Sequence, residues 1–160
     1  MSESSISPSS NPTRGFESRP DLIGTIQGDF RIEARLGRGG MGEVFLATQL
    51  SLGRPVALKT IRAEIAEDPA YVTRLTREAR AAARLNHPNV VQIYSIEQVG
   101  RLQFLVMEYV PGTTLRRLLD RHGPPPLAHA LAILRQTARA VAAAGELGLV
   151  HRDLKTENLL

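Results

Sequence analysis

The alternation of apolar and polar residues that begins at Phe30 predicts the first regular structure of the chain. Phe30, Ile32, Ala34 and Leu36 are separated by polar residues, so a β-strand would place all four side chains on one face. Residues 1–27 are rich in serine and proline and show no apolar periodicity. We therefore expect a disordered tail over 1–27 and folded structure after it.

Four further apolar segments have the length and composition of strands. They read EVFLAT at 43–48, VALKTI at 56–61, VVQIYSIEQ at 90–98 and LQFLVMEYV at 102–110. A short segment that contains glycine separates the first two of these strands, and another separates the last two, as in antiparallel hairpins. The pattern thus predicts five strands in one antiparallel sheet.

One helix is expected between the third and fourth strands, and it carries a carboxylate on its apolar side. The Asp-Pro pair at 68–69 supplies an N-cap and a first-turn proline, and the helix should run to about Leu85. At 100° per residue, Glu78 lies within the apolar stripe of this helix. A buried carboxylate needs a cationic partner, so we expect an ion pair with Lys59, the local alternative being Arg74.

The last part of the chain is predicted to be helical. Thr113 or Thr114 can cap a short helix that ends near Gly123, and an Ala/Leu-rich segment from residue 127 to about 147 has the composition of a long, largely buried helix. The fold class is therefore α+β, with a five-stranded antiparallel sheet and one main helix followed by a helical region.

Composition excludes several classes of protein. The 160 residues are 42% apolar and 22% charged, as in globular domains, and the absence of cysteine excludes disulfides and thiolate metal sites. No apolar run is long enough for a membrane span and no secretory signal is visible, so we expect a cytoplasmic protein with no membrane segment in 1–160. A membrane anchor beyond residue 160 stays open as the alternative. The net charge of +4 comes from cations interspersed with acids, without interleaved aromatic residues, which argues against nucleic acid as a partner.

Three glycines open the second strand with the spacing of a phosphate-binding turn. Gly37, Gly39 and Gly42 form a G-x-G-x-x-G pattern, which serves dinucleotide-binding folds and kinases, although ligand-free hairpins also use glycine. A dinucleotide fold needs a helix at the third glycine and an acidic residue ~20 positions later. Here a strand follows Gly42, so the glycines are expected in a hairpin whose backbone N–H groups can approach phosphates.

The two lysines of the chain stand out because the other eighteen of its twenty basic residues are arginines. An ammonium is a compact point charge, so Lys59 and Lys155 indicate sites where a guanidinium would not fit. Strand alternation places Ala57 and Lys59 on one face, which Val44 could share across the hairpin. The result would be an apolar slot for a flat ring beside one cation, although an ordinary edge lysine has the same spacing.

Polar chemistry is concentrated in the stretch HRDLKTENLL at residues 151–160. Asp153 can accept a proton from an attacking hydroxyl, Lys155 can neutralise a transferring phosphoryl group, and Asn158 can bind a metal through its amide oxygen. We expect His151 to be a structural residue, and the other three histidines lack metal-ligand spacing.

Together these motifs resemble the eukaryotic-type protein kinase family, most closely its bacterial serine/threonine branch. The glycine loop, V-A-x-K, a helix glutamate and H-R-D-L-K-x-x-N occur in the family's order over residues 30–160. The resemblance implies a smaller lobe at 28–110 and the first part of a larger lobe at 111–160. It also implies ATP-dependent, Mg²⁺-assisted phosphorylation of serine or threonine in protein substrates.

The resemblance assigns roles residue by residue. Lys59 would pair with Glu78 and bind the α- and β-phosphates, Asp153 would be the catalytic base, and Asn158 would bind Mg²⁺. Lys155 matches the serine/threonine pattern. The adenine site would be formed by the hinge after Met107, with backbone groups of Glu108 and Val110, and by Leu36, Val44, Ala57 and Leu160.

Some features depart from the family or leave alternatives. Thr156 stands where the family most often has proline, and Arg152 beside the catalytic Asp usually accompanies control by activation-loop phosphorylation. The family's Asp-Phe-Gly segment is expected after Leu160, so we expect the chain as given to be inactive alone. A non-catalytic nucleotide-binding or interaction module is the alternative, and a dinucleotide-dependent oxidoreductase is a distant third.

Overall fold

An antiparallel sheet dominates the computed structural model, which describes residues 22–39, 42–61, 69–100 and 102–160. Six strands pair in the order β1-β2-β3-β4-β6-β5, and every pair is antiparallel. The strands are β1 (Ile26–Gln27), β2 (Phe30–Gly39), β3 (Gly42–Gln49), β4 (Arg54–Ile61), β5 (Ile93–Val99) and β6 (Leu102–Glu108). The predicted antiparallel α+β class is confirmed, with one strand more than expected.

The additional strand β1 shows that folded structure begins before the predicted boundary at residue 27. Ile26 pairs with Arg31, and Leu22 is 7% exposed and belongs to the hydrophobic core. A two-residue strand has no periodicity that a sequence pattern could reveal, which explains the difference. Residues 1–21 of the predicted tail lie outside the described residues.

The core lies on one face of the sheet, as the alternation predicted for β2. Phe30 and Ile32 are buried while Arg31 between them is exposed. Large apolar side chains of the neighbouring strands complete this face, namely Phe45, Val56, Leu58, Phe104 and Val106.

The predicted alternation does not continue through the whole of β2. The register against β3 shifts between Ile32 and Ala34 and again between Arg35 and Gly37. Such β-bulges insert an extra residue and change the face to which later side chains belong. Leu36 is consequently 36% exposed rather than part of the core.

In the part of the chain that the structure describes, three α-helices and one 3-10 helix follow the predicted order. They are α1 (Pro69–Ala83), α2 (Leu115–His122), α3 (Leu127–Glu146) and the 3-10 helix Thr156–Asn158. Thr114 is the N-cap of α2, where its Oγ1 accepts from the Arg117 N–H at 3.3 Å, and Gly123 ends the helix at φ 71°. The predicted N-cap of α1, Asp68, lies outside the described residues.

The prediction that the long helix is largely buried is wrong for the residues that the structure describes. No residue of α3 is buried, and Leu127, Leu131 and Leu134 are 74%, 57% and 64% exposed. These leucines recur at helical spacing, so they form one stripe that no described element covers. Across the described ranges, we find no helix with the length and apolar character needed to cross a bilayer.

Candidate functional site

The face of the sheet opposite the core carries the predicted lysine and its apolar neighbours. Val44 of β3 lies directly across from Lys59 of β4, and Leu105 of β6 is the other cross-strand partner of Lys59. Ala57, two residues earlier on β4, pairs with Met107 in the same way. Directly opposite residues in an antiparallel pair share a face. The predicted placement of Val44, Ala57 and Lys59 on one face is therefore confirmed.

The three glycines of the hairpin differ in what requires a glycine. At Gly42 the backbone φ is 142°, and a Cβ would collide with the carbonyl oxygen of Thr60 in β4. At Gly37 and Gly39 the φ angle is not left-handed, and a Cβ would meet nothing within 4 Å. The described fold thus explains Gly42 by close packing and leaves open space beside Gly37 and Gly39.

Thr60 is a residue of this region that the sequence analysis missed. It is 1% exposed, and among the residues that the structure describes it is the only buried polar or charged one. Its Oγ1 accepts from the Glu43 N–H at 3.0 Å and donates to the Glu43 carbonyl oxygen at 3.2 Å. The signal in the sequence was a lone hydroxyl that follows Val56 and Leu58 at the period-two spacing of one strand face.

Glu78 does not occupy the buried position that the helical pattern predicted. Its side chain lies on an exposed part of α1. Among the described residues, no ion pair joins Glu78 to Lys59, and none involves Glu78 at all. The helix packs mainly against β5, with Ala79 buried at 6%, so its rotation is set by that contact rather than by the carboxylate.

The second group of predicted residues comes together in the loop after α3. Lys155 Nζ lies 2.8 Å from Asp153 Oδ2. The Asn158 side-chain amide donates to the Asp153 carbonyl oxygen at 2.8 Å and to its Oδ2 at 3.3 Å. One carboxylate is therefore held by a cation and an amide from residues two and five positions later.

The backbone of this loop is shaped by a tight turn before Asp153. The Asp153 N–H donates to the His151 carbonyl oxygen at 2.8 Å and contacts His151 Nδ1 at 3.3 Å, and Arg152 between them has φ 60°. His151 thus takes part in this turn through its carbonyl oxygen and Nδ1, although its side chain is exposed. A non-glycine residue in the left-handed region is uncommon and often marks a functional turn.

The charges in the loop alter the acidity of its groups. The hydrogen bond from Lys155 holds the pKa of Asp153 below its ordinary value, and the Asn158 amide and the positive charges nearby act in the same direction. The same hydrogen bond raises the pKa of Lys155. Both shifts favour the charged forms, so Asp153 and Lys155 stay charged at neutral pH. About half of each side chain is exposed to solvent.

The 3-10 helix is joined to α2 by its backbone and by one ion pair. The Leu115 N–H donates to the Leu159 carbonyl oxygen at 2.8 Å. Arg116 Nε lies 3.4 Å from Glu157 Oε1. The pKa of Glu157 is lowered first by its own backbone N–H and then by Thr156 and Arg116. These contacts fix the segment that carries Asn158.

The oxygen atoms in the loop suit a hard divalent cation. Among the described contacts, the Asn158 amide oxygen accepts no hydrogen bond, while its nitrogen is held by Asp153. Amide and carboxylate oxygens are ligands that Mg²⁺ accepts, and the ion usually completes its shell with water and phosphate. Within the described ranges, no group of three or more His, Asp or Glu side chains forms a metal site. Asn158 therefore fits a partial Mg²⁺ site.

The remaining predicted residues are placed with varied exposure. Met107 and Glu108 end β6, where the Glu108 N–H donates to the Gln92 carbonyl oxygen at 2.8 Å. In the described hydrogen-bond network, both backbone groups of Val110 lack a partner. Leu160 is 65% exposed. The contacts of the described residues include no hydrogen bond or ion pair between Lys59 and the Asp153 loop.

A separate cleft lies between α1 and strands β5 and β6. Its volume is about 400 Å³, and its lining includes Thr76, Arg80, Tyr94 and Gln103. Gln103 Oε1 is buried there without a hydrogen-bond partner in the described structure. None of the predicted site residues lines this cleft.

The chain is similar to known proteins over most of its length. The family model for the protein kinase domain matches residues 30–160. The chain is 43% identical over 141 residues to the serine/threonine-protein kinase PknA of Mycobacterium tuberculosis, covering 85% of this chain and 33% of PknA. It is 41% identical over 140 residues to the serine/threonine-protein kinase PrkC of Bacillus subtilis, covering 87% of this chain and 22% of PrkC. The chain thus spans about a third or less of these relatives.

Solved structures show the same likeness in three dimensions. One crystal structure of the Mycobacterium tuberculosis PknI kinase domain superposes with a TM-score of 0.73 at 30% identity, covering 84% of this chain and 55% of that chain. A second crystal structure of the PknI kinase domain gives a TM-score of 0.72 at 30% identity, with 86% and 57% covered.

Proposed function

Because the chain belongs to the protein kinase domain family, we propose that it carries the phosphate-binding and catalytic residues of an ATP-dependent kinase acting on serine or threonine in proteins. The observation that carries this proposal is the arrangement of Asp153, Lys155 and Asn158. A carboxylate, a cation 2.8 Å away and a free amide oxygen stand together in one exposed loop. These are the groups that phosphoryl transfer to a hydroxyl requires.

The nucleotide is proposed to bind on the face of the sheet that carries Lys59. Val44, Ala57 and Met107 supply an apolar surface for the adenine ring, together with Leu36 and Leu160, and the free backbone groups of Val110 support a hydrogen-bonding role at the hinge with Glu108. Lys59 would contact the α- and β-phosphates. The open space beside Gly37 and Gly39 supports close approach of phosphates to the hairpin backbone.

The transfer step follows from the groups in the loop. The substrate hydroxyl oxygen forms a bond to the γ-phosphorus, the bond from that phosphorus to the β–γ bridging oxygen breaks, and the hydroxyl proton passes to Asp153. Lys155 would lie beside the transferred group and neutralise its charge. The lowered pKa of Asp153 keeps it deprotonated, so it is ready to accept the proton at neutral pH.

Asn158 is the residue proposed to hold Mg²⁺, with its amide oxygen as ligand. When bound, the ion neutralises phosphate charge and orients the phosphate oxygens. The hydrogen bonds from the Asn158 nitrogen to Asp153 orient the amide so that its oxygen is left for this role.

The substrates are proposed to be proteins, and the domain is proposed to act in the cytoplasm, where ATP is available. Nucleic acid is not proposed as a partner. Glu78 is proposed to pair with Lys59 once α1 rotates on β5, the element against which it mainly packs among the described residues.

The experiment uses the full-length protein that carries these residues, with Mg²⁺, γ-labelled ATP and a degenerate library of Ser/Thr peptides. We expect labelled phosphoserine or phosphothreonine, and Asp153→Asn should reduce transfer by about 10²- to 10⁴-fold. Nucleotide affinity should persist in that variant. Glu146→Gln, a change to an exposed carboxylate at the end of α3, is the control and should leave transfer unchanged.

Two results would contradict the proposal. Nucleotide binding by the wild type without any transfer would favour the non-catalytic module, whose supporting observation is that no ion pair joins Glu78 to Lys59 among the described residues. Normal transfer by Asp153→Asn would show that another group is the base.

A further inference from the structure

The hydroxyl of Thr60 links the glycine hairpin to the strand that carries Lys59. Thr60 follows Lys59 in β4, and Glu43 lies between Gly42 and Val44 in β3. The hydroxyl bonds to both backbone groups of Glu43, as donor to one and acceptor from the other. One side chain thus satisfies two backbone groups of the neighbouring strand, at the start of β3.

Two other contacts restrict the same point of the hairpin. The Thr60 carbonyl oxygen occupies the space where a Cβ of residue 42 would lie, so the two strands approach closely there. The Glu43 carboxylate lies 3.2 Å from Arg35 Nε in β2. Glu43 is therefore held through its backbone by β4 and through its side chain by β2.

Resting on the proposed function, we infer that Thr60 is a positioning residue for the nucleotide phosphates. It touches no reacting atom, and it acts by fixing the glycine hairpin relative to Lys59. Val44 lies directly across from Lys59, so a shift of Glu43 would move the hairpin against the ammonium. If the hairpin is mobile before the nucleotide binds, binding must also order it. The entropy lost in that ordering lowers the affinity for the nucleotide.

The decisive change is Thr60→Val, which keeps the β-branched shape in a buried strand and replaces the hydroxyl by a methyl group that cannot hydrogen-bond. In the full-length protein we expect the KM for ATP to rise about fivefold, the effect of one lost hydrogen-bonding group. The value of kcat should change by less than about twofold, because lost uniform binding raises KM alone. Thr60→Ser should restore the wild-type KM.

The matched control is Thr48→Val in β3. Thr48 also makes a cross-strand hydrogen bond, to Glu33 Oε1 at 3.0 Å, but it lies away from the glycines. This variant should leave the KM for ATP unchanged. If Thr60→Val does not fold, Thr60→Cys replaces it, since a thiol is a weak hydrogen-bond partner of similar size.

Amide hydrogen exchange at Glu43 supplies a readout that does not depend on catalysis. Exchange should accelerate by about fivefold or more in Thr60→Val and stay unchanged in Thr48→Val. An unchanged KM in folded Thr60→Val, or equal impairment in Thr60→Ser, would overturn the inference. A wild type without ATP-dependent transfer would instead refute the proposed function and the nucleotide role of Thr60 together, and exchange at Glu43 would still decide whether the hydroxyl holds the hairpin.

Discussion

The Lys155 ammonium lies 2.8 Å from Asp153 Oδ2, and about half of each side chain is exposed to solvent. An exposed ion pair of this kind contributes little to folding stability. Its effect is on acidity and orientation, because the hydrogen bond from Lys155 is the main reason why the pKa of Asp153 lies below its ordinary value. The pair therefore keeps the proposed base deprotonated and fixes one of its oxygens.

The first prediction concerns that acidity. Lys155→Met removes the main stabilisation of the Asp153 carboxylate, so its pKa should move upward toward the ordinary aspartate value. Carboxyl ¹³C NMR titration measures the shift directly. Asp29 is an internal control, because its pKa is lowered mainly by the Ser51 hydroxyl and should not respond. A downward or absent shift at Asp153 would mean that Lys155 does not set its acidity.

The Asp153 loop and the sheet could be predicted from sequence for the same physical reason, which is that their patterns are local. Asp153 and Asn158 lie five residues apart, so one turn brings them together. The alternation in β4 placed Ala57 and Lys59 on one face without knowledge of the neighbouring strands.

Features that depend on contacts between distant segments could not be predicted. The Thr60 hydroxyl meets Glu43 seventeen residues earlier, through a register that no single strand specifies. The bulges near Ala34 change the face of Leu36 in the same way. Glu78 is exposed because packing against β5, rather than the apolar stripe of the helix, sets how α1 is rotated.

The second prediction tests whether Lys59 requires an ammonium. Lys59→Met and Lys59→Arg should each lower kcat/KM for ATP by about a hundredfold or more, since a planar guanidinium cannot replace a compact charge beside Val44. Steady-state kinetics of the full-length protein measures this effect. Arg31→Lys, on an exposed position of the same sheet, is the control for exchanging the two cations. Full activity in Lys59→Arg would contradict a tight phosphate site.

The third prediction is that Glu78 approaches Lys59 when nucleotide is bound. In the protein that keeps Lys59, Glu78→Gln should weaken ATP binding about tenfold, because the charge-assisted contact between the two side chains is lost. In the Lys59→Met background the same change should have no effect, and calorimetric titration of the four proteins completes the double-mutant cycle. Glu146→Gln at the end of α3 is the control. Equal effects in both backgrounds would show that the two residues do not interact.

The fourth prediction separates stability from function within the glycine hairpin. Gly42→Ala combines a φ of 142° with a collision against the Thr60 carbonyl oxygen, so the free energy of unfolding should fall by more than the ~1–3 kcal/mol of backbone strain alone. Gly112→Ala is the control for strain, since its φ is 136° and a Cβ there meets nothing within 4 Å. Denaturant titration of the full-length proteins compares the two, and equal losses would mean that the Thr60 contact is unimportant.

The last prediction is that Gly39→Ala impairs nucleotide use without loss of stability. A Cβ at this position meets no described atom, and φ is not left-handed, so the free energy of unfolding should stay within ~1 kcal/mol of wild type or rise slightly. The KM for ATP should nevertheless increase, because the methyl group occupies space that the proposed phosphates approach. Gly100→Ala, in the turn between β5 and β6, would strain the backbone far from the glycine hairpin and should leave the KM unchanged. An unaltered KM in Gly39→Ala would show that the open space beside Gly39 is not used by the nucleotide.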